Sequence, residues 1–176
     1  WRKFVKYSKI DWMNKLKSVP RYERLYHLVF LPIYDESFDV LKTTLANIKD
    51  SIFSKDKIII VLAGEEAKKE HFARVADCAQ KEFALAFHSF LVTVHPAGRT
   101  DEIPGKGSNI HYAGHEAQKY IDSLGLPYDD VVVSSFDVDT IVHPQYFAYL
   151  THEYATHPDP THTSFQPIAL YNNNMW

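Results

Sequence analysis

The chain has 176 residues, of which 45% are hydrophobic and 23% charged, and its net charge is −3 at pH 7. This length suits one domain with a buried core, and the composition is that of a soluble globular protein. No apolar run approaches the roughly 20 residues that a membrane-spanning helix needs, and the acidic body argues against nucleic acid as the main partner. The single cysteine, Cys78, fits a reducing compartment, so we expect a cytoplasmic protein.

The first segment differs in charge from the rest. Residues 1–24 carry eight Lys or Arg and two acidic residues, so their net charge is +6 and that of the remainder is −9. Aromatic and apolar residues lie among the basic ones at loosely helical spacing: Trp1, Phe4, Ile10, Trp12, Met13 and Leu16. Such a basic amphipathic segment can lie on an anionic membrane surface, or it can be a solvated helix that packs on the rest of the protein.

After residue 24, short apolar runs alternate with amphipathic stretches. Strands are predicted at residues 27–33, 57–63, 90–95 and 130–136, with a last short one near 164–170. Helices are predicted at about 38–53, 65–87, 108–124 and 144–155. This alternation predicts an α/β fold with a mainly parallel sheet and helices on both faces, a Rossmann-like three-layer α/β/α arrangement. In such a sheet, ligands bind beyond the carboxyl ends of the strands.

Two aspartates follow the fourth predicted strand. In extended backbone Asp137 and Asp139 face the same side, so both carboxylates can meet one hard cation. Mg²⁺ or Mn²⁺ held there would bridge two phosphates and stabilise a departing nucleoside diphosphate. About one Asp-x-Asp string is expected by chance in this chain, so an exposed acidic turn is the alternative.

Other polar residues stand at the same predicted edge. Glu36 follows the first strand and can bond a ribose or base, or can support the dipole of the next helix. Glu65 follows the second strand. Lys106, in a glycine turn before the third helix, can neutralise a phosphate or can be a surface lysine. His111 and His115 share a helix face at zinc-ligand spacing, but the Glu that zinc hydrolases carry after the first His is absent.

Four segments together resemble family 2 glycosyltransferases of the GT-A fold, of the bacterial membrane-associated type. They are residues 27–36 (HLVFLPIYDE), 105–110 (GKGSNI), 136–147 (FDVDTIVHPQYF) and 171–176 (YNNNMW). The resemblance implies transfer of a sugar from a nucleoside-diphosphate donor, with UDP favoured and Mg²⁺ or Mn²⁺ as cofactor, to a glycan or lipid-linked acceptor. It implies metal binding by Asp137 and Asp139, and nucleotide-sugar binding by these residues: Pro32, Tyr34, Glu36, Glu65, Lys106 and Asp137.

The chain also departs from the family. Ala63 and Gly64 stand where the second strand of the family usually ends in an Asp that holds base or ribose, and Glu65 is the expected substitute. The catalytic base of the family lies in a later, acceptor-binding half, so we expect it beyond Trp176. Residues 25–176 would then be a donor-binding part that cannot transfer sugar alone, held in the full-length protein at the cytoplasmic face of a membrane.

Two other functions stay open. A nucleotidyltransferase of similar fold needs a glycine-rich, arginine-containing loop after the first strand, and residues 32–36 lack one. A non-catalytic binding or scaffold domain could keep the fold without the chemistry, although Asp137 and Asp139 argue against this. Metal-dependent nucleotide binding would separate an enzyme-derived domain from a scaffold.

Overall fold

The structure is a computed structural model that describes residues 2–100, 102–103 and 105–167, with side chains from residue 5 onward. Helices and strands alternate after a helical start. The strands are β1 (Tyr26–Pro32), β2 (Ile58–Glu65), β3 (Ser89–His95) and β4 (Val131–Ser135). The helices are α1 (Arg2–Ser8), α2 (Trp12–Leu16), α3 (Phe38–Lys49), α4 (Lys69–Phe83), α5 (Lys106–Ser123) and α6 (Tyr146–Thr156).

The four strands form one sheet in the order β3-β2-β1-β4, and every pairing is parallel. Register matches Val29 with Ile60 on one side and with Ser134 on the other. Parallel neighbours require crossover connections, and helices supply them here. The predicted α/β fold with a parallel sheet is therefore confirmed.

Side chains of the central strands are buried on both faces of the sheet. Val29 and Leu31 of β1 belong to a core cluster that includes residues of α2, α3, α4 and α6. Leu28 and Phe30 point to the opposite face and pack with the α5 residues Ala113, Ala117 and Ile121. Because successive strand residues alternate between faces, continuously apolar strands are what a sheet covered on both sides needs. The layering is Rossmann-like α/β/α.

Several predicted boundaries differ from the structure. Helix α3 ends at Lys49 and not near residue 53, because the chain turns at Ser51, whose hydroxyl donates to Ile48 O at 2.6 Å. Glu65 remains in β2, so α4 begins only at Lys69. In the predicted last strand, residues 164–167 form no strand, and residues 168–170 lie outside the described part of the chain, as does the segment 171–176.

The basic first segment packs on the domain through α2. Trp12 and Leu16 are buried, and the Trp12 ring lies 4.5 Å from that of Tyr149 on α6. The Gln145 side-chain oxygen accepts from the backbone N–H groups of Trp12, at 2.5 Å, and Met13, at 3.3 Å. These contacts make α2 part of the core, and contact between the segment and a membrane stays a prediction. Among the helices of the described residues, none combines the length and the hydropathy that crossing a bilayer requires.

Candidate functional site

The strand order places a crevice at one edge of the sheet. From β1 the chain adds β2 and β3 on one side, then crosses back to set β4 on the other side of β1. Helix α3 follows β1 on one face, whereas α5 precedes β4 on the opposite face. The connections therefore diverge at the carboxyl ends of β1 and β4, and such a switch point is where open α/β sheets bind ligands.

A cavity of about 1110 Å³ lies at this edge. Its lining includes seven residues from four separate segments, which are the residues that the sequence selects for nucleotide-sugar and metal binding: Pro32, Tyr34, Glu36, Glu65, Lys106, Asp137 and Asp139. The short loops after the strands explain why they converge, since the carboxyl ends of parallel strands share one edge. Their roles in binding remain predictions.

Asp137 and Asp139 both border the cavity. Both are exposed and line the cavity, while Val138 between them is buried in the core. The extended course of β4 continues up to this point, because Phe136 N still donates to Phe30 O at 3.0 Å. A turn then follows, closed by Thr140 N donating to Asp137 O at 3.0 Å.

Two polar residues of α3 hold the acidic segment in place. The Thr44 hydroxyl is buried and donates to Val138 O at 2.6 Å. Asn47 bonds Val142 twice, accepting from its N–H at 2.7 Å and donating to its carbonyl at 3.2 Å. Sequence reasoning missed both residues. The available signal was a polar pair three residues apart, and thus on one face, at the side of α3 that carries Leu41, Leu45 and Ile48.

Lys106 forms an ion pair with the Asp137 carboxylate across the cavity. Helix α5 begins two residues earlier than predicted, so Lys106 lies in its first turn, directly after Gly105. Gly105 has φ of 150°, a conformation that favours glycine. Both side chains of the pair are about half exposed or more, and exposed pairs of this kind contribute at most about 1 kcal/mol to stability. The pair can therefore open for a ligand at little cost.

The loop after β1 is shaped by Glu36 itself. Its carboxylate accepts a hydrogen bond from Tyr34 N at 2.8 Å, and its carbonyl oxygen lies 2.9 Å from a ring nitrogen of His71. The Tyr34 ring is 49% exposed, with the Lys68 ammonium 5.1 Å from its centroid. Glu36 thus orders the loop, and the loop presents an aromatic face at the mouth of the cavity.

The Phe72 ring fills the space beside Gly64 at the end of β2. A side chain at Gly64 would collide with the Phe72 ring, which is buried in the core. This explains why no Asp ends the strand here, and it leaves Glu65, one residue further, as the acid that reaches the cavity. Asn109 of α5, which sequence reasoning did not single out, is buried here and donates through Nδ2 to Ala63 O at 2.9 Å.

Other polar groups lie away from this cavity. The rings of His111 and His115 are 4.7 Å apart on the exposed side of α5. Across the described residues, no group of three or more His, Cys, Asp or Glu side chains is arranged to hold a metal by itself. A second cavity, of about 560 Å³, follows the edge of β4 and the segment 160–167, and it contains none of the seven residues.

Comparison with known proteins adds no relative: no protein-family model matches this chain, and no curated protein sequence matches it either.

Proposed function

We propose that this chain is the donor-binding part of a glycosyltransferase of the GT-A type, similar to family 2, and that it binds a nucleoside-diphosphate sugar with UDP favoured. The observation that carries the proposal is the single cavity at the switch point, lined by the two aspartates, a lysine and an exposed tyrosine from three segments. This set offers a metal site, a phosphate partner and an aromatic face to one ligand.

Asp137 and Asp139 suit a hard divalent cation. Their exposed oxygen donors are of the type that Mg²⁺ prefers, and Mg²⁺ commonly keeps waters and takes substrate phosphates as its other ligands. The bound ion would act as a Lewis acid that neutralises the charge developing on the nucleoside diphosphate as the sugar leaves. Thr44 and Asn47 would keep both carboxylates in position for this ion, because they bond the backbone of the segment that bears them.

Lys106 would bind the phosphates of the same ligand. In the free protein its ammonium neutralises Asp137, and a bound diphosphate would offer it a competing anionic partner. Its position in the first turn of α5 adds the unpaired N–H groups of the helix start, which favour anions. The diphosphate would therefore lie between Lys106 and the acidic segment.

The remaining parts of the proposal concern the full-length protein. The acceptor would be a glycan or a lipid-linked glycan, and the catalytic base would come from residues beyond Trp176. Residues 1–24 would meet the cytoplasmic face of a membrane through their basic side chains. We favour the donor-binding role over a nucleotidyltransferase because residues 32–36 carry no glycine or arginine to wrap a triphosphate.

The test is a calorimetric titration of UDP, GDP, CDP and ADP with and without Mn²⁺. Wild-type protein is compared with Asp139→Ala and with Asp77→Asn, a matched control at an exposed carboxylate of α4 outside the cavity. We expect Mn²⁺-dependent binding of UDP by wild type and the control, and a loss of at least tenfold in affinity for Asp139→Ala.

Two outcomes would contradict the proposal. Binding that is equally strong without Mn²⁺ and in Asp139→Ala would remove the metal site. Folded wild-type protein that binds no nucleotide, with or without Mn²⁺, would favour the non-catalytic scaffold.

A further inference from the structure

One buried polar atom in the cavity has no partner. Asn109 is 2% exposed and lines the cavity from the first turns of α5. Its Nδ2 donates to Ala63 O, which fixes the orientation of the amide because a carbonyl can only accept. Its Oδ1 is buried and accepts no hydrogen bond from the described residues. Such orphaned acceptors are rare in native proteins and costly, so each calls for a donor.

The orphan lies on the opposite side of β1 from the phosphate features. Asn109 is bonded to the end of β2, whereas Lys106 reaches Asp137 at the end of β4. These two strands lie on either side of β1. A nucleoside diphosphate whose phosphates lay at Lys106 would extend its base toward Asn109 in the same cavity.

The two ends also differ in exposure. The Lys106 and Asp137 side chains are 52% and 69% exposed, whereas Asn109 is 2% exposed. A diphosphate keeps water and a metal around it and suits the open end. The flat base is the part of a nucleotide that tolerates burial, provided that its polar edge finds partners.

We propose that Asn109 Oδ1 accepts a hydrogen bond from a ring N–H of the nucleobase, and that it selects uracil or guanine over cytosine and adenine. This inference rests on the proposed donor-binding function and adds a specificity-determining residue to it. Uracil and guanine each carry a ring N–H on the edge used for pairing, whereas cytosine and adenine present a ring nitrogen that only accepts. An acceptor facing an acceptor leaves both unpaired, and such mismatches discriminate strongly.

The test combines a change in the ligand with a change in the protein. UDP and N3-methyl-UDP are titrated in Mn²⁺ against wild type and Asn109→Ala, with Asn14→Ala as a control at an exposed asparagine of α2. In wild type and control, we expect methylation to weaken binding about tenfold or more. In Asn109→Ala, where the acceptor is gone and space is open, methylation should change affinity less than threefold. GDP with its N1-methyl analogue repeats the comparison for the second base.

Each outcome is decisive. Equal effects of methylation in wild type and Asn109→Ala would overturn the inference while leaving UDP binding, and so the proposed function, intact. Binding of no nucleotide at all would overturn both. If Asn109→Ala does not fold, wild type alone still decides, because equal affinity for UDP and N3-methyl-UDP contradicts the proposal.

Discussion

The two ends of β1 differ in the exposure of the polar groups near them. Near its start, His27 is wholly buried between the rings of Phe53 and Phe147. Beyond its end, Tyr34 and Glu36 border an open cavity. Polar atoms at the sealed end are held by a few fixed bonds, so changes there should alter stability. Polar atoms at the open end are available to a ligand, so changes there should alter binding.

The largest expected effect is a loss of stability in acid through His27. The Thr151 hydroxyl donates to Phe147 O at 2.7 Å, so its oxygen must accept from His27 Nε2–H, and His27 Nδ1 has no partner among the described residues. Desolvation by burial lowers the pKa of His27 from 6.5 to about 3. Above pH 6.5 the His27 imidazole is neutral in both the folded and the unfolded state. Below pH 6.5 it becomes protonated in the unfolded chain but stays neutral in the folded protein down to about pH 3.

The free energy of unfolding should therefore fall steadily over this window, by on the order of 5 kcal/mol in total. Urea unfolding at pH 7 and pH 4 measures it for wild type, His27→Leu and the exposed control His162→Ala. We expect His27→Leu to lose most of this pH dependence and His162→Ala to keep it. The same slope in all three proteins would show that another group governs the acid limit.

A smaller effect is expected at the boundary between the two regions. Asn47→Ala removes both hydrogen bonds to Val142 and leaves the acidic segment less fixed. We expect a cost of about 1–3 kcal/mol in the free energy of unfolding, together with weaker Mn²⁺-dependent UDP binding. Lys49→Ala, at the exposed end of the same helix, is the control. A stability loss with unchanged UDP affinity would mean that the segment needs no tether to bind.

The smallest effect on stability is expected at the open end. Lys106→Met keeps the length of the side chain and removes its ion pair with Asp137. The free energy of unfolding should therefore change by less than about 1 kcal/mol. UDP affinity should fall about tenfold, because a charge-assisted bond to phosphate is lost. Lys119→Met, an exposed lysine on the same helix, should leave the affinity unchanged. Equal affinities for both variants would remove Lys106 from the phosphate site.

Most of the fold can be predicted from patterns in the sequence. The four strands of the sheet were found because each is a short apolar run, and the parallel sheet followed from their alternation with helices. The helix starts were less exact, since Lys69 and Lys106 stand where no cap residue marks the boundary.

Within the site, residues at strand ends could be predicted and those that support them could not. Asp137 and Lys106 follow from position along the chain. Thr44, Asn47 and Asn109 lie on inner faces of helices, where a polar residue looks like an interruption of the apolar pattern. Their partners are backbone atoms of Val138, Val142 and Ala63 on distant segments, and only the tertiary structure identifies these contacts.

The most direct test of the proposed donor site measures binding of the metal itself. Free Mn²⁺ is followed by electron paramagnetic resonance as protein is added, with and without UDP. If Asp137 and Asp139 hold an ion that also binds the diphosphate, UDP must tighten Mn²⁺ binding, and by linkage Mn²⁺ must tighten UDP binding by the same factor. We predict this coupling in wild type and its loss in Asp139→Asn. Mn²⁺ binding that UDP does not change, or coupling that survives in Asp139→Asn, would contradict the proposed function.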